Sequence, residues 1–295
     1  MNNIDNIANG LAQAGRAAIA YTDAANPDWP LTLHTYRPAA YTPGRPVVIV
    51  QHGVLRNGDD YRDFWMEAAD RHNLLIVAPT FGNDMWPGVE SYNNGRVFAE
   101  DGSVRERERW TYAIIERVIA DLVESGVVAG KEVYLFGHSA GGQFVHRLMS
   151  SQSHAPFTAV AAGNPGWYTL PTQDHAYPEG LDGVGLDAGH VERLLAYPLL
   201  ILAGDQDIVT EDPHLPSEPA ALRQGPHRYS RAHHYFEAGQ REAARLGVPF
   251  NWRLQSVPGI GHDGRAMSAV CASVWFAGGM PDAATMAQLA GSRVA

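Results

Sequence analysis

Val133-Tyr134-Leu135-Phe136-Gly137-His138-Ser139-Ala140-Gly141-Gly142 is the stretch that decides the fold. Its first four residues form a largely apolar run without alternation, which suits a strand buried on both faces. The stretch 142–150 that follows reads as a helix. Between the two, Gly137 and Gly141 bracket Ser139. A serine on so tight a turn carries strained backbone, and bulky neighbours would clash there. This is the G-x-S-x-G pattern in its strand-turn-helix setting, which lifts the serine Oγ clear of the sheet. The start of the helix adds partial positive charge where an oxyanion would develop. The competing interpretation is a glycine-rich structural turn. The strand before it and the helix after it favour the chemical one.

Working outward, the same rhythm recurs. The run 47–51 (Val-Val-Ile-Val-Gln) ends in His52-Gly53, and 199–203 (Leu-Leu-Ile-Leu-Ala) ends in Gly204-Asp205. Runs at 74–78, stopped by Pro79, and at 157–162 and 252–257 read as further buried strands. The stretch 31–37 alternates apolar and polar side chains, as a half-buried strand does. Helices are expected over 61–72, 105–125, 142–150, 228–246 and 265–276, with a short one within 4–20. In 105–125 the apolar residues Trp110, Ile114, Val118 and Leu122 recur every four positions. Alternating strands and helices predict an α/β class with a doubly wound, mostly parallel sheet. No break in composition divides the chain, so 1–295 reads as a single domain. The segment 164–197, rich in Gly, Pro and Tyr, is too long for an ordinary connection. It is expected to be a lid-like insertion or a pocket wall over the active-site edge.

A serine hydroxyl is a poor nucleophile at neutral pH and needs a base. His262, in Gly259-Ile260-Gly261-His262-Asp263-Gly264, lies on a glycine-rich loop after the last strand. The imidazole in turn needs a carboxylate to fix its tautomer. Asp207 is favoured because it lies further into the loop after 199–203, and Asp205 is the alternative that caps or orients the turn. Two backbone N–H donors should meet the oxyanion. They are assigned to Ala140, after the serine, and Val54, in the loop after 47–51, with Gly53 as runner-up. Trp86, Trp167 and Tyr168 are candidate substrate-binding residues on loops, with Arg56 and Asn57 after the oxyanion loop. His138 is expected to support the turn, and His227, His233 and His234 to face one surface helix. No His-Glu-x-x-His spacing is present, so no metal and no cofactor are expected.

The bulk numbers narrow the partners. Hydrophobic residues make up 45% of the 295 residues and charged ones 18%, ordinary for a globular chain. A net charge of −10 disfavours nucleic acid and anionic membranes. The Arg105 to Arg109 stretch alternates with Glu106 and Glu108 and reads as a solvated helix start. The single cysteine, Cys271, excludes an intrachain disulfide and reads as a buried thiol. With no signal-peptide pattern and no spanning stretch, a cytoplasmic location is expected.

His52-Gly53, Gly137 to Gly141, Asp207 and His262 together resemble the α/β-hydrolase superfamily over about 31–276. Within it the chain is similar to the esterase and polyester-depolymerase branch, which includes feruloyl-esterase-like and dienelactone-hydrolase-like proteins. The resemblance implies a serine hydrolase that cleaves a carboxylic ester through an acyl-enzyme. Secreted depolymerases of this kind resemble cysteine-bearing, signal-carrying chains, and this one departs on both counts, so a small-molecule ester is the expected substrate. Serine at the elbow departs from a strict dienelactone hydrolase, which resembles it but carries cysteine. Two alternatives stand beside the esterase: an amide or peptide hydrolase with the same triad, and a non-catalytic small-molecule-binding protein on this fold.

Overall fold

The structure, a computed structural model, describes residues 2–152 and 156–291. Eight strands run β1 (Gly15–Tyr21), β2 (Leu31–Arg37), β3 (Val47–Gln51), β4 (Leu75–Thr80), β5 (Val133–His138), β6 (Ala159–Gly163), β7 (Leu199–Gly204) and β8 (Arg253–Val257). They form one sheet in the order β1-β2-β4-β3-β5-β6-β7-β8. β2 is antiparallel to both β1 and β4, and all other pairs are parallel. The helices are α1 (Asn3–Gly10), α2 (Gly58–Phe64), α3 (Met66–His72), α4 (Gly88–Ser91), α5 (Ala113–Glu124), α6 (Ala140–Ser151), α7 (Ala188–Ala196), α8 (Pro219–Gln224), α9 (Arg228–Leu246), α10 (Gly264–Ala272) and α11 (Ala283–Gly291). Among the described residues no helix is long and apolar enough to cross a membrane.

Strand periodicity explains why the central runs are apolar throughout. Successive side chains point to opposite faces. Val47 and Ile49 enter one core, with Ile114, Val118, Phe144 and Tyr235 from α5, α6 and α9. Val48 and Val50 enter the other, with Trp65, Ala69, Met267 and Cys271 near and on α3 and α10. The sheet is thus doubly wound, as expected, and covered on both faces.

The differences lie at its margins. The single helix expected within 4–20 is α1 followed by strand β1. Alanines favour a helix locally. Pairing with β2, from Gly15↔Arg37 to Tyr21↔Leu31, and inward-facing Ile19 and Tyr21 override that preference. The helix expected over 61–72 breaks at buried Trp65 into α2 and α3. Of 105–125, only α5 is α-helical, preceded by a 3₁₀ turn at Arg107–Arg109. Pro79 does not stop β4. The β3 ladder ends at Ile49↔Val77, so the missing N–H falls past the last β3 partner, and a proline is tolerated at such a position.

The insertion 164–197 lies between β6 and β7 and carries α7. Its Tyr168, Leu181, Val184 and Leu186 are buried in the core that holds Phe144 and Tyr235.

Candidate active site

Ser139 joins β5 to α6 with φ 58° and ψ −120°, a conformation that side chains rarely adopt. Packing sets the residues around it. A Cβ at Gly137 would sit 2.2 Å from the Gly141 carbonyl oxygen, and one at Gly141 would sit 2.2 Å from the Gln51 carbonyl oxygen. Both glycines are therefore required by close backbone approach. Backbone bonds hold the turn on either side: Ser139 N–H donates to Gly163 O at 2.9 Å, and Gln143 N–H to Ser139 O at 3.0 Å.

Two loops at the carboxyl ends of β7 and β8 meet this turn. His262 Nε2 lies 2.9 Å from Ser139 Oγ, and its Nδ1 lies 2.7 Å from Asp207 Oδ2. Asp207 is 1% exposed, so little water competes for the carboxylate. Asp205 points elsewhere: its Oδ1 accepts the Gly259 N–H at 2.8 Å and latches the two loops together. Gly204 lets them touch, since a Cβ there would lie 2.4 Å from Ile260 O. Asp263 caps α10, accepting the Ala266 N–H at 2.9 Å.

Several supporting residues escaped the sequence reading. Asn164 bridges the two loops, donating to Gly261 O at 2.9 Å and accepting the Gly204 N–H at 2.8 Å. Arg228, buried at the start of α9, sets Nη1 3.5 Å from Asp207 Oδ1 and Nη2 2.7 Å from Asp212 Oδ2. Burial works to raise the Asp212 carboxyl, but the His214 N–H and Arg228 hold it below its ordinary value. Nothing in local sequence marks these partners. Helix 228–246 was legible, but what its first residue faces is set by the sheet.

On the opposite side, Gly53, Val54 and Leu55 border the cavity above Ser139. Ala140 is the first residue of α6, and the first N–H groups of a helix lack intrahelical acceptors. His52 stiffens the loop. The Phe81 N–H donates to His52 Nε2 at 3.1 Å, so the ring proton is on Nδ1, which donates to Gly53 O at 2.9 Å. Burial pushes His52 down to about 3, so it stays neutral. Arg56, with φ 61°, donates to Phe81 O at 3.0 Å and Gly88 O at 2.6 Å.

The cavity at Ser139 holds about 630 Å³, with Val54, Leu55, Tyr61, Phe64, Ile260 and Leu289 among its apolar lining. Asn57 borders it, but none of the bordering residues belongs to 164–197. Three expected pocket residues require correction. Trp86 is fully buried, packed on Trp29 and Phe81, and its Nε1–H donates to Pro30 O at 2.9 Å. Tyr168 is fully buried, stacked on Tyr235 with ring centroids 4.4 Å apart. Trp167 faces the Arg147 guanidinium, 5.3 Å from its ring, and does not border the cavity. Their loop positions at the strand ends suggest pocket residues, whereas rings on other elements bury Trp86 and Tyr168.

No protein-family model matches the chain, and no curated protein matches it in sequence. Solved structures do. LpqC, a poly(3-hydroxybutyrate) depolymerase from Bordetella parapertussis, is 68% identical over 98% of both chains, with a TM-score of 0.96. Poly(aspartic acid) hydrolase-1 from Sphingomonas sp. KT-1 is 32% identical over 89% of this chain and 99% of that one, with a TM-score of 0.85. An S-formylglutathione hydrolase from Agrobacterium tumefaciens shares the fold, with a TM-score of 0.58 at 16% identity over 90% of this chain and 95% of that one.

Proposed function

The chain belongs to the α/β-hydrolase superfamily, in its esterase and depolymerase branch, and we propose that Ser139, His262 and Asp207 are the nucleophile, general base and orienting acid of this serine hydrolase. The observation that carries the assignment is the hydrogen-bonded line from Asp207 Oδ2 through His262 to Ser139 Oγ, at 2.7 and 2.9 Å. These distances lie within the range in which a base can take the serine proton.

The chemistry follows from the geometry. His262 Nε2 accepts the Ser139 proton as Oγ attacks the ester carbonyl. The tetrahedral oxyanion is held by the N–H groups of Ala140 and Val54. The imidazolium gives its proton to the departing alkoxide, leaving an acyl-serine and a free alcohol. Water, deprotonated by His262, attacks the acyl-serine. Collapse releases the acid and returns the proton to Ser139. Asp207 holds the Nδ1–H tautomer and stabilises the imidazolium in both halves. The buried Arg228 guanidinium lies 3.5 Å from the other carboxylate oxygen and offsets its negative charge.

Within carboxylic esters, we assign a neutral ester of a hydroxy acid, single or oligomeric, as substrate. The 68% identity to a protein described as a poly(3-hydroxybutyrate) depolymerase supports this. The cavity supports it also. Arg228 pairs with Asp212, which leaves Asp60 and Asp263 in the lining against one arginine, Arg265, so a neutral chain is favoured over a polyanion. A second reading, amide cleavage, rests on the 32% identity to a poly(aspartic acid) hydrolase. That polymer is anionic, and the carboxylates of Asp60 and Asp263 disfavour it.

The test compares kcat/KM on p-nitrophenyl esters of increasing acyl length, a 3-hydroxybutyrate trimer and poly(aspartic acid). Ester turnover and fluorophosphonate labelling, both lost in Ser139→Ala, are the expected result. Labelling without ester turnover would overturn the substrate class, and labelling that persists in Ser139→Ala would overturn the nucleophile.

A further inference from the structure

Tyr61 lies on α2, outside all three loops that carry Ser139, Asp207 and His262. Its ring is buried against Phe64, with centroids 5.2 Å apart, and the residue borders the cavity. The Oη lies 2.7 Å from His138 Nδ1. His138 immediately precedes Ser139, and its ring packs on the His262 ring at 4.7 Å between centroids. Two further segments close on the same hydroxyl. A Cβ at Gly53 would meet Tyr61 Oη at 3.0 Å, and one at Gly264 would meet it at 2.8 Å and His138 Nδ1 at 3.2 Å. The oxyanion loop, the serine turn and the end of the histidine loop thus converge on one phenol oxygen.

We propose that Tyr61 is a positioning residue for the hydrolytic reaction: its hydroxyl donates to His138 Nδ1 and so orients the ring that holds His262 in line with Ser139. Protonation states agree with the geometry. Burial keeps the Tyr61 phenol protonated, and burial keeps His138 neutral, with the Arg228 charge acting the same way. A neutral ring that accepts at Nδ1 carries its proton on Nε2. That nitrogen is buried and meets no hydrogen-bond partner among the described residues. With Nδ1 occupied and Nε2 protonated, His138 has no free lone pair with which to act as a rival base beside Ser139. The one sequence signal was the histidine inside Gly137-His138-Ser139-Ala140-Gly141. Its partner, 77 residues away, was not legible.

The inference rests on the triad assignment, so the experiment separates the two. Tyr61→Phe keeps the ring and removes the donor. We expect kcat on p-nitrophenyl butyrate to fall on the order of 10-fold, because small misplacements of reacting groups are costly. KM should stay within about twofold, because the hydroxyl orients a base and binds no substrate. In a His138→Phe background the same substitution should cost nothing further, since its effect runs through His138. If His138→Phe does not fold, ¹⁵N imidazole spectra decide. His138 should be a single Nε2–H tautomer in the native protein and a mixture in Tyr61→Phe. Native kcat in a folded Tyr61→Phe, or an equal loss in the His138→Phe background, or unchanged tautomers, would overturn the proposal. If the native protein turns over no ester, or Ser139→Ala remains active, it is the triad assignment that fails.

Discussion

Gly141→Ala tests whether the serine turn is set by backbone contact. The added Cβ would lie 2.2 Å from Gln51 O, 2.6 Å from Gln51 C and 2.7 Å from His52 O, all main-chain atoms that cannot rotate away. Ordinary contact begins at 3.4 Å, so the first turn of α6 and the end of β3 must separate by about 1.2 Å. Ser139 moves with α6. The 2.9 Å bond from Oγ to His262 Nε2 then stretches toward about 4 Å, beyond hydrogen-bond range. The two N–H groups proposed for the oxyanion, Val54 and Ala140, lie on either side of the gap and part with it. A 1 Å misplacement costs about 10²-fold in rate, or about 2.7 kcal/mol of barrier. Overpacking costs a further ~1–3 kcal/mol of stability. The assay is kcat on p-nitrophenyl butyrate at saturation, with Tm from a thermal scan. Gly44→Ala is the control, because its Cβ would meet nothing within 4 Å. A Gly141→Ala protein with kcat within threefold of native and unchanged Tm would refute the reasoning.

Asp207→Asn keeps the shape but loses the charge that fixes the His262 tautomer, so kcat should fall by about 10³–10⁴-fold. Asp205→Asn, which touches only the loop latch, should cost less than about tenfold, and the ratio measured side by side separates the two acids. Trp86→Ala should lower stability by ~3–5 kcal/mol in urea titrations while leaving the ranking of acyl lengths unchanged, as befits a core ring. The neutral buried histidines set an acid limit. Burial pushes His52 down to about 3, and holds His138 and His146 well below 6.5. Below pH 6.5 the unfolded chain takes up protons that the folded one refuses, so stability is complete above 6.5 and is lost as pH falls toward 3. Tm measured from pH 7.5 to 4.5 should fall steadily below 6.5, and a flat profile contradicts this.

What could be read from sequence was whatever depends on local pattern. β3, β5 and β7 are buried on both faces, so their runs are apolar throughout and visible without a partner. β1 was not, because its Ala-rich segment reads as helix until β2 pairs with it. Ser139, Asp207 and His262 were nameable because each follows a strand, and strand ends are where an α/β sheet presents its loops. Tyr61, Asn164 and Arg228 act through neighbours distant in the chain, and no local signal distinguishes them from surface polar residues. The same limitation explains Trp86 and Tyr168, whose burial is decided by Phe81 and Tyr235 on other elements.

The spread of the site across the sheet also shapes how the molecule regains activity after denaturation. Ser139 and His262 are 123 residues apart, and β6 and β7 stand between the strands that carry them. Non-local pairings of this kind form late. Far-UV dichroism should therefore recover before hydrolysis does, and the return of turnover times the last strand to dock.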